Sequence, residues 1–199
     1  MTNPRWSVEW RRDGALLCAR EPTEAEVREA APALAAFYNE PHNQRMLANT
    51  LSLTVEDVVS FYADLRDDDG RPLLLWRDGV LVGDADLRRV DRAARTGEFA
   101  ILIGERAVQG QGLGTRFATM AHLFAFTALG LERVYVSIVA GNVASARMLE
   151  KVGYRRDDAP VARGHADEAG DVTMSLTRAD FEAACAGSLA AIALRQREP

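Results

Sequence analysis

Apolar positions recur along this chain at two periods, and the switches between them mark its elements. Leu113, Phe117, Met120, Ala121, Phe124, Ala125 and Ala128 fall on one face at helical spacing, with Gly130 standing where a C-cap glycine belongs. Val55, Val58, Val59, Tyr62 and Leu65 do the same behind a Thr54–Asp57 capping pattern, and Asp67-Asp68-Asp69-Gly70 stops that helix. A capping box at Thr23 and Glu26 opens a third helix running towards Tyr38, in which Pro32 is expected to kink or break the rod. Asn142 as N-cap and Gly153 as terminator bound a short helix with Ser145, Met148, Leu149 and Val152 on one side.

Between these lie strand patterns. Residues 15–20 read as a first strand, and 73–76 and 80–82 flank Arg77-Asp78-Gly79, a strong hairpin signal. Residues 99–103 are short, apolar and bounded by Gly97 and Gly104, as a buried strand would be. In 131–139, Val134, Val136 and Ile138 alternate with Tyr135, Ser137 and Val139, and 172–176 read as a last strand. Residues 39–43 form a turn-rich connection and 91–97 a polar loop; 155–170 are charged and carry no clear period. An alanine-rich C-terminal helix is expected over 177–195, packed on its own domain or on a second copy, which keeps a homodimer open.

The chain of 199 residues supports one domain with a real core. A net charge of −5 gives no reason to expect nucleic acid as a partner. Cys18 and Cys185 are isolated, so neither a disulfide framework nor a metal site is suggested. No apolar run approaches the roughly 20 residues that span a bilayer, and the opening segment is polar, so the default is a cytoplasmic protein without a membrane partner.

The most informative stretch is Gln109-Gly110-Gln111-Gly112-Leu113-Gly114, set between the strand at 99–103 and the long helix. A strand, a glycine-rich turn and a helix N-terminus aim free backbone N–H groups and a helix dipole at one point, the physics of a phosphate cradle. The third glycine comes one residue early for the dinucleotide fingerprint, and the Gly-Lys-Ser/Thr of a P-loop is missing. The segment resembles the Q/R-x-x-G-x-G/A pyrophosphate loop of the GNAT superfamily of acetyl-CoA-dependent N-acetyltransferases. Asn142 to Tyr154 is similar to a second GNAT motif, N-x-x-S/A followed by an E-K-x-G-aromatic run.

That resemblance implies an α+β GNAT fold: a mostly antiparallel central sheet splayed at the acetyl-CoA site and flanked by helices. It implies an N-terminal extension over 1–14, an acetyltransferase domain over 15–177, and a C-terminal helix and tail over 178–199. It further implies acetyl transfer from acetyl-CoA, with no metal, to a small-molecule amine or a protein N-terminus in a ternary complex. The alternatives are a non-catalytic acyl-CoA-binding module and a nucleotide-binding domain. Gly110, Gln111, Gly112, Leu113, Gly114 and Thr115 would hold the pyrophosphate, with Gln109 bracing the loop. The edge of Ile101, Leu102 and Ile103 would bond the pantetheine amides and the thioester oxygen. Glu98 is the candidate base, against a strand-end glutamate with no role. Asn142 and Ser145 would contact the coenzyme, against Asn142 as a plain N-cap. Leu149 stands where many members carry a tyrosine general acid, so Ser145 or water is left to protonate the thiolate. Asn39, Glu40, His42 and Asn43 would wall the acceptor cleft, and Asp84 and Asp86 either attract a cation or are solvated charges. His122, Tyr135 and Tyr154 read as core or satisfied groups.

Overall fold

The computed structural model describes residues 4–47 and 51–197. Nine strands form one sheet: β1 (Trp6–Arg12), β2 (Ala15–Arg20), β3 (Arg71–Arg77), β4 (Val80–Asp91), β5 (Thr96–Ile103), β6 (Arg133–Ile138), β7 (Arg155–Arg156), β8 (Val172–Thr177) and β9 (Ile192–Gln196). Their spatial order is β7-β8-β6-β5-β4-β3-β2-β1-β9, and every neighbouring pair is antiparallel except β5 with β6. The helices are α1 (Glu24–Asn39), α2 (Pro41–Met46), α3 (Val55–Asp67), α4 (Leu113–Thr127), α5 (Val143–Val152), α6 (Pro160–Arg163) and α7 (Arg178–Leu189).

Local sequence explains most of these boundaries. Thr23 and Thr54 each complete a reciprocal capping box, with Glu26 and Asp57, at the heads of α1 and α3. Asp78 and Gly79 both take positive φ, the geometry that a two-residue β3–β4 hairpin turn needs. On β3, Leu73 and Leu75 enter one apolar cluster while Leu74 enters the other, so period two persists on a strand buried on both faces. One face carries α1 and α3, packed through Val27, Leu34, Val58 and Tyr62; the other carries α4, α5 and α7, around Phe117, Phe124, Leu149 and Phe181.

The fold departs from four expectations. Within the expected extension over 1–14, Trp6–Arg12 belongs to the sheet, a strand paired to β2 on one side and β9 on the other. Its partner comes from the far end of the chain, where the C-terminal helix stops at Leu189 and Ile192–Gln196 returns as a strand. Finally, α1 runs through Pro32 to Asn39, and the turn-rich connection behind it winds into α2, capped by Glu40.

Candidate active site

The two parallel strands separate. β5 and β6 are in register only through Thr96–Arg133, Gly97–Val134 and Glu98–Tyr135, although both run on past these pairs. From Phe99 onward the edge of β5 that faces β6 is released from the ladder, leaving main-chain donors and acceptors for another partner. Two cavities open along this split. One, of about 590 Å³, is lined by Ile101, Leu102 and Ile103, by Gln109, Gly110, Gly112, Leu113, Gly114 and Thr115, and by Asn142 and Ser145. The other, of about 460 Å³, lies over the first part of the split and shares Met46, Leu47, Ile101, Asn142 and Ser145 with it. The shared residues form a junction.

At the larger cavity the glycine turn leaves open space and an uncapped helix start. Gly110 and Gly112 take φ of +76° and +77°, and a methyl group added at either would meet nothing within 4 Å on the protein side. Gly112 is the N-cap of α4 and no side chain caps that helix; the first bond back is Arg116 N–H to Gly112 O at 3.2 Å. The N–H groups of the first turn therefore have no helical acceptor and face the cavity with the positive end of the dipole. Gln109 Nε2 donates to Ile103 O at 2.7 Å and to Asn43 Oδ1 at 3.1 Å. Asn43 is itself buried and donates to Phe37 O and Gly104 O, which ties the end of α1, the end of β5 and the loop together. Gln111 turns away from the cavity; its amide bonds Ala107 O and Arg77.

Asn142 serves two structural roles at once. Its Oδ1 accepts from Ser145 N–H, capping α5, and its Nδ2 donates to Met46 O across the split at 3.2 Å. His42 and Asn43 line the larger cavity rather than the smaller, and Asn39 is engaged with Leu53 in both directions. The first inter-helix segment thus shapes the larger cavity, with Met46 and Leu47 reaching both.

The smaller cavity is walled by Tyr38, Val58 and Phe61 on the helical side, and by Ser137, Asp167, Glu168 and Asp171 opposite. Asp171 Oδ2 accepts from Ser137 Oγ at 2.8 Å and from Glu168 N–H at 3.2 Å, which fixes the acidic lip against β6. Arg88 also borders the cavity, but its guanidinium is bidentate to Asp86 at 2.6 and 2.7 Å, so that charge is already matched.

Glu98 lines neither cavity. It is 2% exposed, and its Oε2 accepts from Arg89 Nη1 and from His165 Nδ1, each at 3.0 Å. His165 stacks on Tyr135 at 4.4 Å, and Arg89 also reaches Asp167. Glu98 therefore ties down the segment that carries the acidic lip, a role that neither sequence reading anticipated. Asp84 and Asp86 are not solvated either; both are buried, Asp84 under the hydroxyls of Tyr38 and Tyr62. His122 is satisfied: Nδ1–H donates to Ala118 O, so the neutral ring's Nε2 accepts from Tyr154 O–H at 2.6 Å. His165 and the 167–171 lip were missed because the charged segment gives no periodic signal, and Ser137 because it reads as an ordinary position of an alternating strand. A serine in a buried strand, paired with an acidic loop downstream, was the only trace.

The family description "Acetyltransferase (GNAT) domain" matches residues 17–155. The spermidine N(1)-acetyltransferase of Escherichia coli K12 is 30% identical over 90 residues, 45% of this chain. The chain spans about half the length of that curated relative, 48% of it. Among solved structures, Mycobacterium smegmatis RimJ in complex with CoA-disulfide superposes with a TM-score of 0.70 at 18% identity, over 92% of this chain and 95% of that one. A spermidine N-acetyltransferase from Vibrio cholerae in complex with CoA and spermine gives 0.66 at 17% identity, over 83% and 97%. The structural likeness shows a shared fold, and with the family model matching residues 17–155, most of its length, the chain belongs to the GNAT acetyltransferase family.

Proposed function

We propose that this chain transfers the acetyl group of acetyl-CoA directly to an amine. The observation that carries the reading is the split between β5 and β6, which opens beside an uncapped glycine turn and joins two cavities at one junction. In this reading the N–H groups of Gly110 to Thr115 hold the pyrophosphate. The pantetheine arm runs along Ile101 to Ile103, and a β5 N–H stabilises the developing oxyanion at the junction. Ser145, which borders both cavities, stands where it can protonate the departing thiolate, itself a tolerable leaving group near neutrality with a thiol pKa of about 8.5.

The acceptor enters from the smaller cavity. Its lip carries Glu168 and Asp171 beside the Arg89-paired Asp167, and Arg88 at its border is neutralised by Asp86, so a cationic small amine is favoured over an acidic one. The relatives named for spermidine support that class. Incubation with acetyl-CoA and a panel of polyamines, aminoglycosides and N-terminal peptides, read by thiol release, tests the proposal. Release with polyamines or aminoglycosides is expected. Coenzyme A binding by calorimetry without release across the whole panel would leave a non-catalytic binding module instead.

A further inference from the structure

An alkyl ammonium, with a pKa of about 10, must shed a proton before its nitrogen can attack a thioester. Glu98 is withdrawn from the cavity by Arg89 and His165, so that proton needs another destination. The helical wall of the acceptor cavity offers one. Tyr38, from α1, borders the cavity, and its hydroxyl donates to Asp84 Oδ2 at 2.7 Å. Tyr62, from α3, donates to the same oxygen at 2.8 Å but does not border the cavity. The second oxygen of Asp84, Oδ1, is buried and finds no hydrogen-bond partner among the described residues. A bare carboxylate oxygen at this depth is destabilising in a purely structural role, where an asparagine or a further donor would serve better.

We propose, on the amine-acetylation reading above, that Tyr38 and Asp84 form the proton exit for the acceptor nitrogen. As the ammonium N–H bond breaks, its proton bonds to Tyr38 Oη, and the proton already on Oη passes to Asp84 Oδ2. The nitrogen keeps the electron pair and spends it on the carbonyl carbon. Asp84 ends the step neutral and returns the proton to solvent through Tyr38 after the product departs.

The surroundings suit that task. The groups facing Asp84 are Tyr38 on α1, Tyr62 on α3, and Asp86 and Arg88 on its own strand, with Glu98 on the neighbouring strand acting on Arg88. Burial raises the Asp84 carboxyl to about 6, opposed by the two tyrosine hydrogen bonds and Arg88 and reinforced by Asp86. Such a group is ionised at neutral pH yet basic enough to hold a proton through a turnover.

The test is thiol release at saturating acetyl-CoA from pH 5 to 9, with spermidine, kanamycin and an alanine tripeptide as acceptors, on wild type and three variants. Tyr38→Phe should lower kcat about 100-fold, the ordinary scale of a lost proton-transfer partner, with coenzyme A affinity by calorimetry within twofold. Asp84→Asn should lose as much and also lose the acidic limb near pH 6. Tyr62→Phe removes an equal hydrogen bond from the same oxygen; it should cost less than about tenfold and move the acidic limb upward. Equal losses in the two tyrosine variants, or an acidic limb that survives in Asp84→Asn, would overturn the assignment. If Asp84→Asn does not fold, the contrast between the two tyrosine variants still decides. A wild type that binds coenzyme A yet acetylates none of the three overturns the functional reading itself, visible before any variant is made.

Discussion

Two buried groups should nearly cancel in the acid stability of this protein, and one substitution should unmask them. His122 is fully buried, and desolvation lowers its pKa from 6.5 to about 4, against a smaller opposing effect of its bond to Ala118 O. A base depressed in the folded state contributes stability above its unfolded value that is lost as pH falls through the folded one. Between pH 7 and 5 that loss is about 2 kcal/mol at 1.36 kcal/mol per unit. Asp84 has the opposite sign. Its carboxyl is raised from 3.8 to about 6, so its unfavourable burial as an anion is relieved as pH falls, by about 1 kcal/mol over the same interval. Wild type should therefore lose less than about 1 kcal/mol between pH 7 and 5. Asp84→Asn removes the compensating term, and its loss should grow to about 2 kcal/mol. Urea melts followed by circular dichroism at pH 7, 6 and 5 measure both slopes. Parallel curves for the two proteins would refute the account of Asp84, and a flat curve for Asp84→Asn would show that His122 does not stay neutral.

Other outcomes follow from single sites. Gly112→Glu meets no protein atom but places a carboxylate among the N–H groups of the α4 turn at a positive φ; coenzyme A affinity by calorimetry should fall at least 100-fold while the far-ultraviolet spectrum is kept. Tyr154→Phe orphans the Nε2 acceptor of His122 and should cost about 1–3 kcal/mol in a urea melt, with no more effect on activity than on stability. Gly83→Ala would set a Cβ 1.9 Å from Leu102 O, against backbone that cannot swing aside, and should lower the melting temperature markedly through a loss of about 3 kcal/mol; an unchanged melt would contradict the β4–β5 register.

What could be read in advance was what local physics decides. The turn at Gln109 to Gly114 is a strand, two positive-φ glycines and a helix start within a few residues, so its geometry is written where it acts. The capping boxes at Thr23 and Thr54 and the Asp78-Gly79 hairpin are local in the same sense. A second Asp-Gly pair, Asp13-Gly14, carried the same hairpin signal, and Trp6, Val8 and Trp10 alternate with polar residues; β1 was legible but masked by the charge around it. β9 was not, because five residues behind an alanine-rich helix become a strand only through their pairing to β1. The surroundings of the smaller cavity depend on meetings across the chain: Tyr38 with Asp84, Glu98 with His165, Ser137 with Asp171. Nothing in the neighbourhood of any of these residues specifies its partner, so Glu98 reads from sequence as a base or as a strand-end glutamate with no role, and its bonds to Arg89 and His165 stand in neither reading.

The clasp between β1 and β9 has a consequence for the order in which this molecule can be finished. Synthesis delivers Trp6–Arg12 well before its outer neighbour, Ile192–Gln196, so until the later strand emerges the nascent chain must carry a strand whose hydrogen-bonding flank lies open. Arg195 and Gln196 then become the exposed rim, and Arg197 closes the seam through its bonds to Arg5, Glu21 and Glu26. A stop codon placed just beyond α7 would thus keep every residue that lines the two cavities and still release a sticky, self-templating border.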